Sequence, residues 1–119
     1  MGLTCYIIDD ELHNIATIKE YIIDANDFKI AGTATDPRIA IEEINKLKPD
    51  VVFSDINMPL ISGIDLAKQV ENITMVVFVT AERLYNLKGI DLDKSIVLHK
   101  PLSRAKFLRA SELIKSRLI

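Results

Sequence analysis

The chain has 119 residues, nearly half of them apolar, and a formal net charge of −2 at pH 7. This length suffices for one domain with one hydrophobic core, and the small negative charge argues against a nucleic-acid surface, which needs an excess of Lys and Arg. No stretch approaches the roughly 18 uninterrupted apolar residues of a membrane helix, and the N-terminus lacks a secretion signal. The composition therefore predicts a cytoplasmic protein that binds neither nucleic acid nor a membrane.

Hydrophobic periodicity predicts five strands, each followed by a helix. The apolar runs that indicate strands cover residues 3–8, 28–33, 51–53, 73–80 and 95–99. Apolar residues spaced three or four apart indicate helices over residues 12–25, 37–48, 64–70, 82–88 and 104–118. Such alternation predicts a parallel sheet that is covered by helices on both faces.

The start of one helix and the buried side of several elements can also be predicted. Asp36 and Pro37 mark the start of the second helix, because Asp is a preferred N-cap and Pro fits the first helical position. Cys5 lies in the first apolar run, which favours a small buried thiol over a disulfide. The helix side chains expected to face the core are Ile41, Ile44, Leu47, Phe107, Leu108, Ile114 and Leu118.

Five polar side chains stand where predicted strands end. Asp9 and Asp10 follow the first strand, Asp55 follows the third, Thr80 ends the fourth and Lys100 follows the fifth. In parallel α/β sheets the carboxyl ends of the strands share one edge, and ligands bind at that edge. Charged side chains are rarely buried there without a partner. The five side chains are therefore expected to converge on one site.

Three carboxylates that converge in this way repel one another unless a cation neutralises them. Oxygen ligands without His or Cys favour a hard divalent ion, and Mg²⁺ commonly binds carboxylates, waters and a phosphate oxygen together. Lys100 supplies a charge suited to phosphate, while Thr80 and the backbone N–H of Ala81 can donate hydrogen bonds to its oxygens. The pattern predicts a Mg²⁺ site, with Mn²⁺ as an alternative ion, that stabilises a phosphoryl group.

The phosphoryl group is expected on the protein itself rather than on a nucleotide. The four glycines, at positions 2, 32, 63 and 89, form neither a P-loop nor a dinucleotide-binding fingerprint. The remaining candidate acceptor is the carboxylate of Asp55, which follows the central apolar strand and would form an acyl phosphate.

The combination of these residues resembles the receiver domain of bacterial two-component response regulators, and the resemblance spans residues 1–119. It implies a flavodoxin-like (βα)5 fold, a three-layer sandwich whose parallel five-stranded sheet has the order 2-1-3-4-5. It also implies a domain that accepts a phosphoryl group without turning over an independent substrate, so an enzyme is not expected. The residues that carry the resemblance are Asp9, Asp10, Asp55, Asn57, Met58, Pro59, Gly63, Thr80, Ala81, Lys100 and Pro101.

The resemblance implies a role for each acidic residue of the site. Asp55 would be the phosphoacceptor. Asp10, Asp55 and the backbone carbonyl of Asn57 would bind Mg²⁺ directly, and Asp9 would bind it through water.

The resemblance also implies which groups hold the phosphoryl oxygens. Lys100, Thr80 and the backbone N–H of Ala81 would contact them. The peptide bond before Pro101 would be cis, a form that proline makes accessible at a cost of about 0.5–1 kcal/mol.

Signalling partners follow from the same resemblance. A sensor histidine kinase or a phosphotransfer protein would donate the phosphoryl group, and a homodimer would form through the fourth helix, fifth strand and fifth helix. Within the family the sequence is similar to receivers of LytTR-type regulators. This similarity implies either a stand-alone receiver or a piece of a longer regulator, in which an output domain missing from this chain would regulate transcription. The segments that carry this finer similarity are residues 55–59 and 61–65, with Tyr85, Leu87, Lys88, Leu92 and Asp93.

One position departs from the family pattern and leaves alternatives open. Receivers usually carry an aromatic residue three positions before the site lysine, and this chain carries Val97 there. The departure favours, as an alternative, a receiver-fold module that signals through protein contacts without phosphorylation. A phosphatase with an Asp nucleophile is a third alternative, which is disfavoured because Asn57 stands where its second acid would be.

Overall fold

The computed structural model describes residues 2–81 and 95–118. The strands are β1 (Leu3–Ile8), β2 (Phe28–Ala34), β3 (Val51–Ser54), β4 (Met75–Thr80) and β5 (Ile96–His99). The helices in these residues are α1 (Leu12–Ala25), α2 (Pro37–Leu47), α3 (Gly63–Val70) and α4 (Arg104–Leu118). The helix predicted over residues 82–88 lies outside the described residues, and α4 corresponds to the predicted last helix.

The five strands form one parallel sheet in the order β2-β1-β3-β4-β5. This is the predicted flavodoxin-like arrangement, with β3 at the centre. Every residue of β3 is buried, which explains why its first three residues are all apolar rather than alternating with polar ones. Asp55, which follows β3, therefore lies in the middle of the carboxyl edge of the sheet.

Helices cover both faces of the sheet, and successive residues of β1 show the two layers. Cys5 and Ile7 face a core that includes Phe107 and Ile114 of α4. Tyr6 and Ile8 face the opposite core, which includes residues of α2 and α3. This alternation is the two-residue period of a strand that is buried on both faces, and it gives the predicted three-layer sandwich.

Two core predictions for the helices are wrong. Leu47 is 48% exposed and Leu108 is 42% exposed. Leu47 is the last residue of α2, beyond the buried stripe of that helix. Leu108 follows the buried Phe107, and one residue turns about 100° around a helix, so its side chain points away from the core.

Local signals mark the helix ends, and the predicted N-cap at Asp36 is confirmed. The Asp36 carboxylate accepts a hydrogen bond from the backbone N–H of Arg38 at 2.9 Å and caps α2. Ser62 caps α3 through the N–H of Asp65, and Asn26, at φ 56°, ends α1. Among the described residues no helix combines the length and the apolar character that a membrane span requires.

Candidate functional site

Three carboxylates meet at the carboxyl edge of the sheet. β1 and β3 are neighbours with Ile8 opposite Ser54, so the residues that follow them, Asp9 and Asp55, come side by side. One carboxylate oxygen from each of Asp9, Asp10 and Asp55 lies within 4.8 Å of the others. Asp9 and Asp55 are buried, whereas Asp10 is exposed. The predicted convergence of these three side chains is confirmed.

Lys100 reaches this cluster from the end of β5. Its Nζ lies 2.9 Å from Oδ2 of Asp9 and 3.0 Å from Oδ2 of Asp55. Its backbone N–H donates to the carbonyl of Thr80 at 2.8 Å, and the Lys100–Pro101 peptide bond is cis, as expected. Burial opposes the charge on Lys100, but its hydrogen bonds to Asp9 and Asp55 outweigh burial and raise its pKa.

The cluster keeps an excess of negative charge. Three carboxylates and one ammonium group carry a net charge of −2 when all four are ionised. Partial burial, followed by repulsion from Asp9 and Asp55, raises the pKa of Asp10. Since Asp10 faces solvent and every acidic donor is a hard oxygen, the site fits a divalent cation such as Mg²⁺.

The loop after β3 holds Asp55 tightly. The backbone N–H of Ile56 donates to Oδ1 of Asp55 at 2.7 Å, and the N–H of Gly63 donates to the carbonyl of Ile56 at 2.8 Å. A Cβ on Gly63 would lie 1.9 Å from the carbonyl oxygen of Asp55. Only glycine lets the start of α3 approach the acceptor residue this closely.

The remaining predicted residues lie at the same edge. Thr80 is fully buried at the end of β4, opposite His99 of β5. Asn57 and Ala81 are exposed, two residues after Asp55 and one after Thr80 respectively. Val97 of β5 packs against the small core cluster that contains Phe78.

Two contacts of Asp9 were not anticipated from the sequence. Its Oδ1 accepts hydrogen bonds from the backbone N–H of Glu11 at 2.9 Å and from Nδ2 of Asn14 at 3.4 Å. The sequence does show that Asn14 is a polar residue in the first turn of the helix that follows the acidic run. Its position indicates the face of the helix on which it lies but not the group to which its side chain donates.

Comparison with known proteins agrees with this geometry. The model of the response regulator receiver domain family matches residues 5–112. An uncharacterized response regulatory protein of Vibrio cholerae is 36% identical over 109 residues, which are 90% of this chain and 46% of that protein. The transcriptional regulatory protein BtsR of Escherichia coli K12 is 31% identical over 102 residues, 84% of this chain and 43% of BtsR.

Solved structures share the fold. The CheX-CheY-BeF3-Mg+2 complex from Borrelia burgdorferi contains a chain that matches with a TM-score of 0.84 at 22% identity, covering 95% of this chain and 89% of that one. The chain spans about half the length of the curated relatives that it matches first. On the family match and the sequence identity together, the chain belongs to the response regulator receiver domain family.

Proposed function

We propose that this receiver takes a phosphoryl group on Asp55 from a sensor histidine kinase or a phosphotransfer protein and thereby switches its protein contacts. The observation that carries the proposal is the position of Lys100, whose ammonium group contacts both Asp55 and Asp9 in a cluster of three carboxylates. A carboxylate acceptor that gains a dianionic group needs nearby positive charge to offset the repulsion. The ammonium group of Lys100, held beside Asp55, supplies the positive charge that phosphoryl transfer to this carboxylate needs.

In the proposed reaction an oxygen of Asp55 attacks phosphorus, a P–O bond forms, and the bond from phosphorus to the donor nitrogen breaks. The electron pair of that bond stays with the leaving imidazole of the donor, which takes a proton. Lys100 then pairs with a phosphoryl oxygen, while Thr80 and the N–H of Ala81 donate to the others. Nothing in this scheme consumes an independent substrate, so the domain is a phosphoacceptor rather than a metabolic enzyme.

Mg²⁺ is the proposed cofactor. Asp10, Asp55 and the backbone carbonyl of Asn57 would hold it, with Asp9 contributing through water. When bound, it supplies the positive charge that offsets the −2 of the cluster and of the incoming group. The Borrelia burgdorferi complex combines a chain of this fold with Mg and the fluoride BeF3, which supports the proposal for this chain.

The output is proposed from two further observations. BtsR is named a transcriptional regulatory protein, and the curated relatives that this chain matches first are about twice as long as it is. We therefore assign the receiver to a regulator of transcription, of LytTR type by its sequence pattern, that works in the cytoplasm. The described part of the proposed dimer surface consists of β5 and α4, since residues 82–88 lie outside the described residues.

The test is intact-protein mass spectrometry after incubation with acetyl phosphate and Mg²⁺. We expect one added phosphoryl group that is labile to hydroxylamine and is absent when EDTA replaces Mg²⁺. Asp55→Asn, which keeps the shape of the side chain, should remain unmodified. A folded wild-type protein that gains no phosphoryl group from acetyl phosphate or from a phosphohistidine donor would refute the proposal.

Val97 favours a second function, an interaction module that signals without phosphorylation. Its aliphatic side chain packs against the cluster around Phe78, and it offers no ring to rotate when Thr80 is engaged. Sedimentation velocity with and without acetyl phosphate separates the two functions. Self-association that depends on the donor and is lost in Asp55→Asn would exclude the second one.

A further inference from the structure

Asp9 is the most deeply buried acid of the cluster, at 1% exposure, and both of its carboxylate oxygens accept hydrogen bonds. Oδ1 accepts from the N–H of Glu11 and from the amide of Asn14, and Oδ2 accepts from Lys100. Donors on both oxygens fix the orientation of a carboxylate. The Asp9 side chain in turn holds the ammonium group of Lys100 beside Asp55.

Asn14 contributes to this network through its side chain rather than through its backbone. Its backbone N–H donates to the carbonyl of Glu11 at 3.1 Å, a bond that any residue except proline could make. Its Nδ2 lies 3.4 Å from Oδ1 of Asp9 and also 3.4 Å from Oε2 of Glu11. One neutral amide therefore bridges two carboxylates, and α1 does not need that bridge in order to form.

The surroundings of Asn14 allow its amide to be removed without crowding. Asn14 lines a cavity of about 150 Å³ together with Lys100, Pro101 and the apolar side chain of Val79. Thr17, another polar residue of this cavity, donates its hydroxyl to the carbonyl of His13 at 3.0 Å. The cavity has room for a leucine at position 14, so an exchange of Asn for Leu changes hydrogen bonding more than packing.

We propose that Asn14 is a positioning residue of the phosphoryl-acceptor site: its amide fixes Asp9, and Asp9 keeps Lys100 beside Asp55. This inference rests on the proposed function. Removing a group that orients a metal-site ligand by hydrogen bonding typically costs about 10–100-fold in metal affinity or activity. The Asn14 contact is long, so we expect the lower end of that range.

The test compares Asn14→Leu with Asn45→Leu. Asn45 is an exposed residue of α2 whose amide donates to the carbonyl of Ile41 at 2.9 Å, so the control makes the same exchange outside the cluster. Two quantities are measured: the initial rate of phosphorylation by acetyl phosphate across a series of Mg²⁺ concentrations, and the ¹H–¹⁵N resonance of the Lys100 ammonium group without any donor. Asn14→Leu should phosphorylate about tenfold more slowly and shift or broaden that resonance, whereas the control should change neither.

An unchanged Lys100 resonance in Asn14→Leu would overturn the proposal, whether the rate is normal or has fallen together with thermal stability. If Asn14→Leu does not fold, Asn14→Ala removes the amide without adding volume and answers the same question. A wild-type protein that takes up no phosphoryl group would defeat the proposed function instead. The Lys100 resonance would still decide whether Asn14 positions that side chain.

Discussion

Acidic side chains at the two edges of the sheet stand in opposite electrostatic situations. At the amino edge, Asp50 accepts hydrogen bonds from the N–H and the hydroxyl of Thr4, at 2.7 and 3.1 Å, and Asp27 pairs with Lys115 at 3.0 Å. At the carboxyl edge, three carboxylates surround the ammonium group of Lys100. Within the described residues, the amino edge is therefore satisfied by its own side chains, and the carboxyl edge retains negative charge for a further cation.

The difference suggests that acidic residues at the amino edge stabilise the fold, whereas those at the carboxyl edge form a site that can bind a cation. A carboxylate that has its own donors lowers the energy of the folded state and has little reason to bind anything else. Carboxylates that share too little positive charge oppose folding, and they bind a cation more readily for the same reason. Substitutions at the two edges should therefore differ both in their effect on stability and in their dependence on Mg²⁺.

The largest effect is expected from Gly63→Ala at the carboxyl edge. The added Cβ would lie 1.9 Å from the carbonyl oxygen of Asp55 and 2.8 Å from its carbonyl carbon, so the acceptor loop must move. We expect the free energy of unfolding in urea to fall by at least about 4 kcal/mol and phosphorylation to be lost. Gly2→Ala is the matched control at the amino edge, because its Cβ would come no closer than 3.9 Å to the carbonyl oxygen of Asp27. Equal stability of the two variants would contradict the close approach at Gly63.

Lys100→Met should have the next largest effect. It removes the ammonium group, whose side chain is 19% exposed, and leaves Asp9 and Asp55 buried without their partner. The free energy of unfolding should fall by about 3 kcal/mol, the low end for a buried ion pair that loses one member. Added Mg²⁺ should raise the Tm of the variant more than that of the wild type, because the ion replaces the missing charge.

Lys115→Met is the corresponding change at the amino edge. Lys115 pairs with Asp27 and Glu112 at the surface, where solvent screens ion pairs and reduces their contribution to stability. We expect a much smaller loss of stability than in Lys100→Met and the same Mg²⁺-induced change in Tm as in the wild type. Thermal unfolding with and without Mg²⁺ measures the loss of stability and the Mg²⁺-induced change in Tm. Equal losses and equal Mg²⁺ responses in the two lysine variants would contradict the proposed difference between the edges.

Asp50→Ala tests whether the amino edge is purely structural. It removes the acceptor of the N–H and hydroxyl of Thr4, 46 positions away in the chain. The free energy of unfolding should fall by about 1.5 kcal/mol, as is typical for hydrogen bonds to a charged group. The initial rate of phosphorylation by acetyl phosphate should stay at the wild-type value. A change in that rate, in a protein still folded at the assay temperature, would show that the two edges are coupled.

Asp10→Asn should have a small effect of the opposite sign. The pKa of Asp10 is raised in the folded protein, so the ionised carboxylate opposes folding above that pKa, and the penalty disappears as the pH falls below the unfolded-state value of about 3.9. Without Mg²⁺ the variant should be more stable than the wild type at pH 7, by less than about 1 kcal/mol because solvent screens the exposed group. Urea unfolding at pH 7, 5.5 and 4 in EDTA should show this gain shrinking as the pH falls. Destabilisation at pH 7 would be the contrary result.

The carboxyl edge could be predicted because it follows from topology. Alternating strands and helices predict that the residues after the strands share one edge, and Asp9, Asp10 and Asp55 do meet there because β1 and β3 are neighbours. The sheet order and the cis bond before Pro101 came from the family resemblance and are confirmed. None of these features depends on the exact direction of a side chain.

Contacts that depend on side-chain direction could not be predicted. The sequence predicts that Lys100 contacts a phosphoryl group, but it does not predict the ion pairs of Lys100 with Asp9 and Asp55 that the structure shows. The bond from Asn14 to Asp9 requires one rotamer at the start of α1. Leu47 looked like a core residue because helical spacing alone does not tell where the packed part of a helix stops.

Locating the phosphoryl group by borohydride reduction tests the central claim most directly. An acyl phosphate on aspartate is reduced to homoserine, which peptide mass spectrometry can place in the sequence. After incubation with acetyl phosphate and Mg²⁺, we predict homoserine at position 55 and at no other acidic position. Homoserine at Asp9 or Asp10, or its absence from a protein that had gained the mass of a phosphoryl group, would contradict the assignment of Asp55 as the acceptor.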